Sequence, residues 1–165
     1  MQIISEDGVT ETKDTPTASR HMAVLNETEI WFGCTNGKIH HINGTELNHH
    51  THEVTAIAVS PDGAYLASGD SNRYVLLWNA KDNTLLFDNW VYHTSRVTCM
   101  DWSPDSSRLL SGGIDCTLII WDVDGSSRKL IDRAHPGQIR AVKYLGDNKI
   151  ASAGGDNTVK IWQLN

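Results

Sequence analysis

The sequence is poor in most residue types that mark a specialised environment. It has three cysteines, four prolines, two phenylalanines and only 14 Lys+Arg among 165 residues. Three cysteines (Cys34, Cys99, Cys116) with no C-x-x-C pair cannot build a disulfide framework. Their small or apolar neighbours suit buried free thiols, so a reducing, cytoplasmic compartment is expected. No apolar run nears the roughly 20 residues of a membrane-spanning helix, and no membrane partner is expected. The 20 Asp+Glu leave a formal charge of −6 and no block of Lys/Arg occurs. Phosphate neutralisation needs clustered cations, so nucleic acid is not an expected partner either. The opening residues, Met1-Gln2-Ile3-Ile4-Ser5-Glu6-Asp7, lack the basic start and apolar stretch of a signal peptide. The two N-x-[ST] sequons, at Asn26 and Asn43, then read as chance matches. A hydrophobic fraction of 39% with 13 glycines is that of one ordinary folded domain.

What is present is repetition. Trp78, Trp121 and Trp162 lie 43 and 41 residues apart, each near the end of a β-rich run: Tyr74-Val-Leu-Leu-Trp78, Thr117-Leu-Ile-Ile-Trp121 and Thr158-Val-Lys-Ile-Trp162. Each Trp follows Asn72, Asp115 or Asp156 by six residues, and each of those follows Ser68, Ser111 or Ser152 by four. His50, His93 and His135 precede the tryptophans by 28, 28 and 27 residues. Four position classes in register three times define a structural repeat. After each His comes an alternating run that reads as a strand, such as Val54-Thr55-Ala56-Ile57-Ala58-Val59. Ser60-Pro61-Asp62-Gly63 and Ser103-Pro104-Asp105-Ser106 then supply turns, with Leu145-Gly146-Asp147-Asn148 in the third unit. A weaker fourth strand is expected at 84–87 and 128–131. A degenerate unit precedes these three, with its first strand near 21–25, Asn36 in the place of Asn72 and Ile42 in the place of Trp78. The polar, Thr-rich stretch 6–19 reads as a loop or linker. The expected organisation is an N-terminal strand and polar linker over 1–16, then repeats over 17–47 (degenerate), 48–90, 91–132 and 133–165.

These units resemble the WD40 family, whose repeats are four-stranded blades of about 40–45 residues. The resemblance covers roughly residues 17–165 and includes Trp121-Asp122, with Trp78-Asn79 and Trp162-Gln163 as degenerate forms. It implies an all-β fold, a β-propeller segment of about four blades that is an incomplete ring on its own. It also implies a His–Ser–Asp–Trp hydrogen-bond chain in each blade: His93, Ser111, Asp115 and Trp121; His135, Ser152, Asp156 and Trp162. In the first full unit the same positions are His50, Ser68, Asn72 and Trp78. A neutral amide at Asn72 cannot match a carboxylate's charge-assisted bond, so that blade is expected to be weaker. The last unit stops after a third strand. Family propellers fill that place with an N-terminal strand, and Gln2-Ile3-Ile4-Ser5 suits it if the ring closes on itself. An open half ring exposes two apolar faces. Self-association, or the remaining blades of a parent propeller, is therefore expected.

Within the family the chain is most similar to the C-terminal propeller of the actin-interacting protein 1 family. The similar stretches include Gly37-Lys38-Ile39-His40-His41-Ile42, Asn43-Gly44-Thr45-Glu46-Leu47, Ser111-Gly112-Gly113-Ile114-Asp115 and Val159-Lys160-Ile161-Trp162-Gln163-Leu164. That similarity implies a non-enzymatic role, with actin and cofilin as partners and filament disassembly as the outcome. A generic scaffold, a substrate adaptor of a ubiquitin ligase and a structural part of a larger complex are the alternatives.

Catalysis is not expected. Ser111, His93 and Asp115 supply triad residue types, but the same types recur at the repeat period beside Trp, which marks structure. No G-x-S-x-G or G-x-x-x-x-G-K-[ST] occurs. No cofactor or metal is expected: among His40, His41, His49, His50 and His52, the adjacent pair His40 and His41 points to opposite faces of a strand. Protein binding remains, on the loops before each first strand and the second-to-third strand turns. The candidates there are Glu53, Arg73, Trp90, Tyr92, Arg96, Gln138 and Arg140, with Trp, Tyr and Arg the types that most often anchor interfaces.

Overall fold

Short runs rich in Val, Ile, Leu and Thr, broken by Asn, Asp, Gly and Ser every few residues, favour strands joined by tight turns over helices. The computed structural model describes residues 2–5, 8–12 and 17–164, and among them there are strands only. An N-terminal hairpin pairs β1 (Gln2–Ser5) with β2 (Gly8–Thr12). Blade 1 holds β3 (Ser19–Val24), β4 (Ile30–Cys34), β5 (Lys38–His41) and β6 (Glu46–Asn48). Blade 2 holds β7 (Val54–Val59), β8 (Tyr65–Asp70), β9 (Val75–Asn79) and β10 (Thr84–Trp90). Blade 3 holds β11 (Val97–Trp102), β12 (Arg108–Gly113), β13 (Leu118–Asp122) and β14 (Arg128–Ile131). Blade 4 has β15 (Ile139–Gly146), β16 (Lys149–Gly154) and β17 (Val159–Gln163). Every blade is an antiparallel meander in sequence order, and the inner strands β3, β7, β11 and β15 lie side by side. This is four consecutive blades of a β-propeller.

The core lies between blades, not within them. Forward-facing Ala56, Ala67, Val75 and Leu77 of blade 2 meet Val97, Trp102, Leu109, Ile119 and Trp121 of blade 3. Equivalent clusters join blades 1 and 2 and blades 3 and 4. Small residues on one face against large ones on the other keep packing dense. Hydrogen bonds latch the junctions: the Thr55 hydroxyl donates to the Val97 carbonyl and the Thr98 hydroxyl to the Ile139 carbonyl, both at 2.6 Å. The Trp102 indole donates to the Ala58 carbonyl at 3.1 Å.

Several expectations are corrected. Gln2–Ser5 pairs with Gly8–Thr12 and not with Val159–Gln163, so among the described residues no strand caps β17. Within the stretch read as a linker, Gly8–Thr12 is a strand and Ser19 opens β3; Glu6, Asp7 and residues 13–16 lie outside the described residues. The fourth strand of blade 2 runs on to Trp90, past register irregularities after Leu85 and Phe87. Cys34 is buried, whereas Cys116 is half-buried in a turn with φ of +66°. That turn is one backbone shape used four times: Gly37, Arg73, Cys116 and Asn157 hold the same place with φ of +83°, +72°, +66° and +62°.

Candidate functional site

The recurrent His, Ser and Trp converge at one end of blades 2, 3 and 4, and the order of donation follows from the groups themselves. An indole N–H can only donate. In blade 3, Trp121 Nε1 donates to Ser111 Oγ at 2.9 Å, and Ser111 Oγ lies 2.8 Å from His93 Nε2. The serine proton then points to Nε2, leaving Nδ1–H to donate to Asp115 Oδ2 at 2.9 Å. Asp115 also accepts from the backbone N–H groups of Thr94 and Thr117. Burial opposes its charge, but the His93 hydrogen bond and these N–H groups outweigh that, and the carboxyl is held below its ordinary range. Blade 4 repeats the arrangement: Trp162 Nε1 to Ser152 Oγ at 2.9 Å, Ser152 Oγ to His135 Nε2 at 2.8 Å, His135 Nδ1 to Asp156 Oδ1 at 3.0 Å. Asp156 too is shifted down: burial opposes its charge, and bonds from Thr158 and His135 outweigh it.

Blade 2 departs from the expected set. His50 Nε2 lies 2.8 Å from Ser68 Oγ, which accepts from Trp78 Nε1 at 2.9 Å, but His50 Nδ1 bonds Asp70 Oδ2 at 3.0 Å. Asn72 is not the partner; its backbone N–H donates to Asp70 Oδ1. The reason is steric. Asp70 occupies the strand-end position that is Gly113 in blade 3 and Gly154 in blade 4. A Cβ on Gly113 would lie 2.9 Å from His93 Nδ1 and 2.7 Å from Asp115 Oδ1, so a side chain there already points at the imidazole. The carboxylate can come from that position or from two residues later, and glycine clears the way in the second case. The expected weakness of this blade therefore disappears: the His50 and Asp70 side chains are each only 1% exposed. The signal was readable as Ser68-Gly69-Asp70 against Ser111-Gly112-Gly113.

The candidate binding residues do not form one patch. Glu53 accepts from Arg96 at 3.1 Å and lies 3.7 Å from Arg20, a bridge across blades 1, 2 and 3. The sequence reading missed Arg20. Arg73 is exposed at the tip of the adjoining turn, and Gln138 occupies in blade 4 the place of Glu53 and Arg96, its carbonyl taking the Gly155 N–H. Arg140 is exposed on β15 at the position of Thr55 and Thr98. Trp90 is corrected out of the set. It is 6% exposed, stacked 4.9 Å from Trp121 and 5.4 Å from Phe87, and belongs to the core between blades 2 and 3. Tyr92 stays 43% exposed on the outer rim, with the Arg128 guanidinium 3.3 Å from its ring centre, beside a cavity of about 220 Å³.

The histidines do not gather. His40 stacks on Phe32 at 5.6 Å and His41 lies tilted against Trp31 at 4.4 Å, on opposite faces of β5, while His50 is held in its blade's chain. Among the described residues no three His, Cys, Asp or Glu side chains converge on a possible metal position. At the opposite end, Asp62, Asp105, Asp122 and Asp124 line a cavity of about 510 Å³. Asp62 and Asp105 are occupied by the turn hydroxyls of Ser60 and Ser103, and the Ser103 and Ser107 hydroxyls lower Asp105 to about 2.

Comparison with known proteins agrees with this geometry. The family model described as WD domain, G-beta repeat matches residues 42–79, 88–122 and 127–163. The chain belongs to the WD40 family. It is 33% identical over 164 residues to a 66 kDa stress protein of Physarum polycephalum, covering 94% of this chain and 27% of that protein. It is 32% identical over 147 residues to Actin-interacting protein 1-2 of Arabidopsis thaliana, covering 83% of this chain and 24% of that one. The chain thus spans about a quarter of the length of these curated relatives. Among solved structures it superposes on that of U3-55K with a TM-score of 0.83 and 22% identity, over 92% of this chain and 50% of that one. It also superposes on the computationally designed Ika4 protein with a TM-score of 0.77 and 23% identity, over 94% of this chain and 96% of that one.

Proposed function

We propose that the chain is a non-enzymatic, protein-binding WD40 segment of the actin-interacting protein 1 type. In this reading it engages cofilin-decorated actin filaments in the cytoplasm and promotes their disassembly. The carrying observation is the 32% identity to Actin-interacting protein 1-2 across 83% of the chain. The arrangement of the blades suits such a role. Each His–Ser–Trp unit with its carboxylate is inward and saturated, so it stiffens the turns, while charged side chains stand outside them. Glu53 between Arg20 and Arg96, with Arg73 beside it, offers a mixed-charge surface of the kind that steers protein association.

The test is co-sedimentation with actin filaments, with and without cofilin. The chain is expected in the pellet when cofilin decorates the filament, and to a lesser extent on bare actin. Arg73→Glu and Arg96→Glu are expected to lower the bound fraction while far-UV circular dichroism stays unchanged. A folded chain that remains in the supernatant at saturating cofilin overturns the reading.

A further inference from the structure

With its carboxylate supplied by Asp70, blade 2 does not need two side chains that blades 3 and 4 use in the turn between their second and third strands. In blade 3, Asp115 accepts from His93, Thr94 and Thr117. The Thr117 hydroxyl in turn donates to the Asp115 carbonyl and to Asp132, at 3.4 Å each. In blade 4, Asp156 accepts from His135, and the Thr158 hydroxyl donates to Asp156 Oδ1 at 2.9 Å. The matching positions in blade 2 are Asn72 and Tyr74. Their backbone N–H groups both donate to Asp70 Oδ1 at 2.9 Å. Among the described residues nothing bonds the Asn72 side-chain amide or the Tyr74 hydroxyl.

These two free groups line a cavity of about 230 Å³ together with His49, Thr51, Leu76 and Asp88. Its inner wall is the His50–Asp70 pair, and Asp70 is already filled by His50 Nδ1 and the two backbone N–H groups. The Thr51 hydroxyl is engaged with His52 Nδ1 at 2.9 Å. Asp88 is not engaged: His49 Nε2, at 4.0 Å, stands beyond hydrogen-bond reach, and the Asp88 side chain is 62% exposed. Leu76 supplies an apolar floor. Two carboxylates, Asp70 and Asp88, thus face the cavity, and no lysine or arginine lines it. Arg73, between Asn72 and Tyr74 in the chain, is not among the lining residues.

We propose that this cavity receives a basic side chain, lysine or arginine, from a partner protein. Asp88 pairs with the cationic head, the Asn72 carbonyl and the Tyr74 hydroxyl oxygen accept its remaining N–H groups, and Leu76 meets the apolar stem. Charge and size select this occupant. An acidic or phosphorylated segment is repelled by Asp70 and Asp88. Sites for free cofactors and substrates usually reach about 300–1,000 Å³. A cavity of about 230 Å³ suits a single side-chain head group carried by a larger molecule. Blade 2 has such a place because its carboxylate comes from Asp70; in blades 3 and 4 the same turn positions are used up by the blade itself. The inference needs neither Arg73 nor Arg96 and stands apart from any actin ligand.

The test is an NMR titration of the isotope-labelled chain with Nα-acetyl-arginine methylamide and, separately, with its lysine counterpart. Saturable shifts are expected at millimolar concentrations in the Asn72 side-chain amide and in the backbone signals of His49, Tyr74 and Asp88. The tighter of the two probes names the side chain. The neutral citrulline analogue of the arginine probe is expected to leave these signals in place. Asp88→Asn is expected to raise the dissociation constant about tenfold, and Asn72→Ala about threefold. Melting temperatures stay unchanged in both, since neither side chain belongs to the blade's hydrogen-bond chain. Absence of saturable shifts with both cationic probes overturns the proposal. So do equal shifts from the citrulline analogue, or a dissociation constant indifferent to Asp88→Asn or to Asn72→Ala.

Discussion

Blades 2 and 4 are written in nearly the same pattern and live in different surroundings. Val75 and Leu77 are sealed at 0% exposure, while Val159 and Ile161, at the same register against the second strand of their own blade, are mostly in water. The internal hydrogen-bond chains follow suit: the Asp70 side chain is 1% exposed and Asp156 14%. A WD40 blade carries its hydrogen-bond chain in its own sequence, but its hydrophobic stabilisation comes from the neighbour. Stacked repeats behave this way because each unit cannot bury its own faces.

The comparison breaks most visibly by truncation at matched sites. Leu77→Ala removes a fully buried side chain and is expected to destabilise by about 3 kcal/mol. Ile161→Ala, in urea unfolding of the dilute single chain, is expected to change stability by less than about 0.5 kcal/mol. Equal losses at the two sites would show that blade 4 is already covered.

Next in size is the carboxylate. Asp70→Ala strands the His50 Nδ1–H in a buried site and is expected to cost about 2 kcal/mol. Asp70→Gly combined with Asn72→Asp converts blade 2 to the pattern of blade 3 and is expected to recover most of that loss in thermal melts. No recovery would mean that the two carboxylate positions are not interchangeable.

The smallest effect is the pH dependence. Asp115 and Asp156 ionise below the ordinary carboxylate range, and Asp105 at about 2. The unfolded chain therefore takes up protons first as the solution is acidified. Their stabilisation is complete above about pH 4 and declines as pH falls toward about 2. Melting temperatures are expected to drop between about pH 4 and about pH 2, with a shallower slope in Asp115→Asn. An unchanged slope in that variant would remove Asp115 from the account. The better-exposed Asp156 contributes less because solvent screens it.

Much of this was legible from spacing. The three Trp runs, the Ser-Pro-Asp turns and the His offsets mark blades, strands and the hydrogen-bonding His, Ser and Trp. Asp70 was not found by counting four residues from Ser68, because the space around an imidazole decides which carboxylate reaches it. Trp90 reads as a surface anchor in sequence, since nothing local says that Trp121 of the next blade lies flat against it. The Gly8–Thr12 strand was hidden by its threonines and acidic neighbours, which also suit a linker.

The sequence by itself determined the repeat, the strand order within each blade and the His–Ser–Trp part of each blade's chain, because these depend on contacts within about 30 residues and recur in register. The tertiary structure decided which carboxylate completes blade 2, which aromatic residues are core and which blade faces remain open. Those depend on what stands across a junction some 40 residues away, where packing in three dimensions, not spacing along the chain, selects the partner.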